Sequence, residues 1–155
     1  MQFANTLNPL PCAVVLLRDL DDQPDARKRG FRQALDESPW DIPTIVGLAR
    51  PNRECWVLAA FIPTNKLEQK RLDDLRQDLG FNPTHCPEQL TAKHEYDRKN
   101  AKRALTHLLG GNVERGEQCW RGINDSRVTV QCDKAGLLDY LQDIEKHHAF
   151  LVGMK

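Results

Sequence analysis

The sequence predicts an α/β fold, a parallel sheet flanked by helices and followed by a mainly helical carboxyl-terminal part. Ala13 to Leu17 are five consecutive apolar residues, which reads as a strand buried on both faces, as in a parallel sheet covered by helices. Ile42 to Ala49 supplies a second short strand centred on Ile45 and Val46. Beyond residue 62 the apolar residues recur at helical rather than alternating spacing. With 155 residues, the chain has the length of a single domain, with a core over 12–62 that carries an acidic site and a mainly helical remainder over 63–155.

Each element has its own signal. The lead-in to Pro11 is rich in Asn and Pro. Pro24 to Glu37 reads as a helix, with Pro in the first turn, Phe31 and Leu35 on one face, and a basic cluster at Arg27, Lys28, Arg29 and Arg32. Arg50 to Ile62 reads as a helix capped by Asn52, apolar from Cys55 onward and therefore buried nearly all round. Leu67, Leu72, Leu75 and Leu79 mark an amphipathic helix that Gly80 ends, and a loop over Phe81 to Glu88 follows. Ala101, Ala104, Leu105, Leu108 and Leu109 mark another, closed by Gly110 and Gly111. Val128 to Cys132 alternates weakly, as an edge strand does. Gly136 to Lys146 begins a final helix with Leu137, Tyr140, Leu141 and Ile144 on its core face.

The chemistry concentrates where the first strand ends, at Asp19-Leu20-Asp21-Asp22. If the backbone stays extended through Asp21, side chains two apart share a face, and the carboxylates of Asp19 and Asp21 stand roughly 7 Å apart along the chain. Two carboxylates at that spacing suit one hard cation, and the crevice beyond the carboxyl ends of parallel strands is where open α/β sheets bind ligands. The same residues also suit a plain strand-to-helix turn, in which Asp21 or Asp22 caps the helix. Glu54 has the same two readings. It is either a first-turn acid favoured by the helix dipole or a third carboxylate at the mouth of the sheet.

Equal numbers of basic and acidic residues, 22 each, give no overall field toward nucleic acid or an anionic membrane, so any such contact needs a local patch. Arg98, Lys99, Lys102 and Arg103 form the best one, arranged as two i, i+4 pairs if they lie on the helix. They suit a solvated face or a phosphate backbone. Neither a signal peptide nor a transmembrane run is visible, and the five widely spaced cysteines lack any CxxC pair, which together predict a reduced, cytoplasmic chain. His85 and Cys86 offer zinc two ligands without a second pair. His147 and His148 read as helix-terminal cations. GxxxxGK[ST], GxGxxG, HExxH and the nucleophile elbow are all absent, which removes sequence support for nucleotide hydrolysis and acyl transfer.

A strand ending in Asp19-x-Asp21, a basic helix, a second strand and then Glu54-x-Trp56 opening a hydrophobic helix resembles the Toprim-like proteins of bacterial defence systems. The likeness is greatest to the branch related to the nuclease domains of OLD proteins, and covers about Ala13 to Phe61. It implies a Rossmann-like parallel sheet, with Asp19, Asp21 and Glu54 holding Mg²⁺ or Mn²⁺ for phosphodiester chemistry. The Glu that opens the family pattern on an earlier strand has no counterpart, since no acidic residue precedes Asp19. On this resemblance the chain lacks the first part of the fold, a partner supplies it, or the site is catalytically reduced.

Two functions of different classes follow. One is a metal-dependent nuclease or nuclease-like subunit acting on DNA or RNA, with the phosphate backbone held by the basic patch. The other is a non-catalytic α/β subunit of a multi-protein defence complex that contains an ATPase. A receiver-like phosphotransfer domain also puts acids at a strand end, but no Lys on a later strand completes it.

Overall fold

The computed structural model describes residues 13–21, 23–37, 43–123 and 133–152. Two strands, β1 (Val14–Asp19) and β2 (Thr44–Ala49), pair in parallel, with Val14 opposite Thr44 and Asp19 opposite Ala49. Both strands therefore end at one edge. The chain between them forms α1 (Pro24–Glu37), with the bounds its sequence predicts. After β2 come α2 (Glu54–Ala59), α3 (Lys66–Leu79), α4 (Ala101–Leu109), α5 (Val113–Arg121) and α6 (Leu137–Val152). This is an α/β fold with a small parallel sheet and several helices.

The core is centred on α2, which packs against α4 and α5, while α3 packs on α4 and α6 on β2. Cys55, Trp56, Leu58, Ala59 and Phe61 are all buried, as an all-apolar helix predicts, although Ile62 is half exposed. Trp56 is the anchor. Its ring stacks on Tyr140 at 5.3 Å and on Trp120 at 6.4 Å, and its indole N–H donates to the Ala135 carbonyl at 2.8 Å. Gly136 follows at φ +82°, where a Cβ would stand 2.4 Å from the Leu48 carbonyl oxygen, so the start of α6 lies directly against β2. Asp143 of α6 accepts the Val46 amide at 2.8 Å and thereby satisfies an outward-pointing N–H of the β2 edge.

A buried ion pair joins α3 to α5. Arg115 Nε lies 3.0 Å from Glu68 Oε1, and the same guanidinium donates to the Ile62 carbonyl at 2.6 Å and faces the Phe61 ring at 5.2 Å. Glu68 also accepts from the Thr64 amide and hydroxyl. Burial pushes its carboxyl up, but the bonds from Arg115 and Thr64 outweigh that and hold it below the ordinary value. Burial pushes the neighbouring Cys119 thiol up.

Several expectations are corrected. β1 is not buried on both faces. Val15 is 50% exposed, because β2 is its one paired strand among the described residues and α1 buries none of its own side chains. The helix read over Arg50 to Ile62 is six residues long, and Arg53, not Asn52, stands at its N-cap without a side-chain bond. Asn52 instead accepts from the Cys55 thiol. Leu67 is 58% exposed, since the buried stripe of α3 runs through Glu68, Leu72, Leu75 and Leu79. The Val128 to Cys132 segment lies outside the described residues, as do Cys12, Cys132 and Asp22.

Candidate functional site

β1 stops at Asp19. Leu20 is drawn into the core, and its amide donates to the Ala49 carbonyl at 2.9 Å. Asp21 then turns back in the left-handed region at φ 47°, a conformation that Asp tolerates better than most residues. Its amide donates to the Pro51 carbonyl at 2.9 Å, which ties the end of β1 to the segment leaving β2. The backbone does not stay extended through Asp21, so Asp19 and Asp21 do not share a strand face in the way their spacing predicts.

Each carboxylate instead faces an arginine. Asp19 Oδ1 accepts the Arg53 amide at 3.1 Å and lies 3.4 Å from Arg53 Nε. Asp21 Oδ2 lies 2.6 Å from Arg27 Nη1, and the same guanidinium donates to the Asp19 carbonyl at 2.8 Å. Arg27 thus clips the turn from the first face of α1. These pairs are partly solvated, with 31% of the Asp19 side chain and 45% of the Asp21 side chain exposed. Such pairs contribute about 0–1 kcal/mol each and exchange readily for other counter-ions.

Glu54, half-buried, is the first residue of α2 and follows directly on Arg53. The bond from the Arg53 amide to Asp19 therefore places the start of α2 beside the end of β1, and brings Asp19 and Glu54 to one edge of the sheet. The oxygen-only donor set suits a hard cation. Among the described residues, however, no three His, Cys, Asp or Glu side chains converge into a set that would hold one. Among the described residues His85 and Cys86 likewise join no group of three such side chains.

The basic patch is arranged differently from its sequence reading. α4 begins at Ala101, because the Asn100 side chain accepts the Arg103 amide at 2.9 Å and caps the helix there. Arg98 and Lys99 therefore precede the helix and do not form i, i+4 pairs with Lys102 and Arg103. Arg98 turns to the end of α3, donating to the Asp78 carbonyl at 3.1 Å. Lys99 stands 6.0 Å from the Phe81 ring centroid, Arg103 donates to the Tyr96 carbonyl at 2.6 Å, and Lys102 is exposed. His147 bonds the Asp143 carbonyl one turn back at 2.8 Å, and His148 is exposed.

Two residues at this edge carry roles that spacing does not reveal. Arg53 reads as an ordinary residue before a helix and acts as both backbone donor and counter-ion to Asp19. Arg27 belongs to the visible basic cluster of α1, yet its specific target emerges only once Asp21 turns. No helix among the described residues is long and apolar enough to cross a membrane. Family models, characterised proteins and solved structures offer no match to this chain.

Proposed function

We propose that the chain is a nuclease-like subunit of the Toprim kind, a cytoplasmic, Rossmann-like α/β protein directed at the phosphodiester bonds of DNA or RNA. The observation that carries this reading is the bond from the Arg53 amide to the Asp19 carboxylate. It gathers the acid ending β1 and the acid opening α2 at the carboxyl edge of two parallel strands. That edge is where open α/β sheets bind their ligands.

Asp19, Asp21 and Glu54 are the residues that would hold Mg²⁺ or Mn²⁺, a group that supplies charge stabilisation to the scissile phosphate when bound. The chain's own contribution is positional. Arg53 and Arg27 balance the carboxylates and fix the turn, and being solvated they give way to a stronger cation at small cost. The exposed cations at Lys99 and Lys102 add a local attraction for phosphate that the neutral chain as a whole lacks.

The test is calorimetric titration of Mn²⁺ into the folded chain beside its Asp19→Ala variant. Binding that vanishes in the variant supports the reading and justifies a cleavage screen over DNA and RNA. A folded wild-type chain that takes up no Mn²⁺ sinks it as a self-sufficient site. A second reading then applies, that of a non-catalytic subunit in a multi-protein, ATPase-containing defence complex. The observation favouring it is the pairing of Asp19 and Asp21 with arginines of their own chain. Co-purification with a partner that restores Mn²⁺ uptake would separate a completed site from a purely structural one.

A further inference from the structure

Beside the acidic edge lies a cavity of about 350 Å³, whose wall includes Asp21 and Asn52 on one side and Leu90, Thr91, Lys93 and Asn100 on the other. Its volume is at the small end of ligand sites, which suits a single nucleotide unit and excludes a duplex. Leu90 is fully buried and gives the cavity an apolar floor. Thr91 and Lys93 contribute a hydroxyl and a cation to the wall, the chemistry that receives a phosphate.

The wall is built, not incidental. Asn100 is 8% exposed, and its amide donates to the Ala92 carbonyl at 3.3 Å and the Lys93 carbonyl at 3.5 Å while its oxygen caps α4. The Ala92 amide closes the base of the loop on the Lys99 carbonyl at 3.1 Å. One buried side chain thus holds the backbone of Lys93 in place. Three residues further on, at most about 10 Å of chain, stands Tyr96. It is 84% exposed, the most exposed large hydrophobic residue among those described. Its ring is free while its backbone is pinned by the Arg103 guanidinium at 2.6 Å and by the turn from the Asp97 amide to the His94 carbonyl. An aromatic face held out on a fixed backbone loses little entropy when something stacks on it. From residue 93 to residue 103, the end of the loop and the first turn of α4, the chain has five basic and two acidic residues, so this stretch is positive within a neutral protein.

We infer that the loop from Thr91 to Asn100 seats single-stranded nucleic acid: Lys93 takes a phosphate at the cavity and Tyr96 stacks on a neighbouring base. The inference rests on the phosphodiester-directed reading above and names its substrate class. A paired base hides both its faces within the stack, whereas an unpaired one offers a face to an aromatic ring regardless of sequence. A strand laid along this loop passes Asp21 in the cavity wall, which brings its backbone to the acidic edge.

The test is fluorescence anisotropy in metal-free buffer, with labelled oligothymidylate and a duplex of equal length as probes. Oligothymidylate is expected to bind more tightly than the duplex. Lys93→Ala and Tyr96→Ala should each weaken it by about tenfold, while Tyr96→Phe keeps wild-type affinity. Both side chains are exposed, so the variants should melt as the wild type does. Equal affinity for duplex, indifference to both alanine variants, or no binding by the wild-type chain would each overturn the inference. Because no metal is present, these outcomes are independent of Mn²⁺ uptake. A chain that takes up Mn²⁺ and ignores oligothymidylate keeps the nuclease-like reading and loses this one, and the reverse result keeps strand binding alone.

Discussion

Replacing Arg115 by Met would leave Glu68 buried and charged without its partner. In the folded chain the guanidinium and carboxylate meet at 3.0 Å with 12% and 9% of their side chains exposed, so solvent screens the pair little. Removing one partner of a buried pair costs about 3–5 kcal/mol, because the remaining charge stays desolvated. That is a large share of a typical stability of roughly 5–15 kcal/mol. In a chain of 155 residues it corresponds to a fall in Tm of about 6–20 °C. Glu68→Gln tests the same contact from the other side and adds a pH signature. The folded-state pKa of Glu68 lies below its ordinary value of 4.5, so its stabilisation is fully present above that value and is lost as pH falls through the lower, folded one. The stability gap between wild type and Glu68→Gln should therefore close on acidification from neutral pH. Thermal unfolding followed by circular dichroism across that range reads both effects. An Arg115→Met chain that melts with the wild type would refute the claim that this pair holds α3 to α5.

Other positions give sharper local outcomes. Gly136→Ala combines a left-handed backbone with a Cβ 2.4 Å from the Leu48 carbonyl, and should cost about 2 kcal/mol or more in a urea titration. Asp143→Ala leaves the Val46 amide without its acceptor and should cost about 1–3 kcal/mol, with faster amide exchange at Val46; Asp143→Asn, which keeps an acceptor oxygen, should recover much of it. Asp21→Gly relieves the positive φ but forfeits an exposed ion pair, two small effects of opposite sign, so its Tm should stay close to wild type. Asp21→Ala, which keeps the strain and loses the pair, should melt lower.

What the sequence makes legible here is local. α1 has the bounds its Pro24 and apolar spacing predict, and the α3 and α4 patterns end at Gly80 and Gly110. What it conceals is tertiary. α5 carries one buried side chain, Cys119, and offers no apolar stripe to read. Its Asn112 cap, the stacking of Trp120 on Trp56 and the reach of Arg115 to Glu68, 47 residues away, fix it. At the candidate site the acids are visible as residues, but the turn at Asp21 is not, because it depends on the Pro51 carbonyl 30 positions later. Lys93 carries no motif at all. Its backbone and that of Ala92 are held in the cavity wall by the side chain of Asn100, whose own sequence signal is an ordinary helix cap.

The neutrality of the whole chain hides a separation of charge across one cleft. Asp21, which ends the acidic edge that begins at Asp19, lines the same cavity as Lys93, where the positive stretch from Lys93 to Arg103 begins; Asp19 and Asp21 are balanced by solvated arginines. A phosphodiester needs both. Its anionic oxygens require cations for binding, while carboxylates alone would repel it. Arg27 and Arg53 resolve this conflict in the free chain by keeping the acidic edge near neutral, and Lys93 lies across the cavity that Asp21 also lines. Substituting Arg53 should therefore weaken oligothymidylate binding even though Arg53 belongs to the acidic side, because Asp19 would then stand uncompensated beside the strand. If Arg53→Ala bound the strand more tightly, the arginines would be competitors for the acidic edge and not its counter-ions, and the division of labour across the cleft would fail.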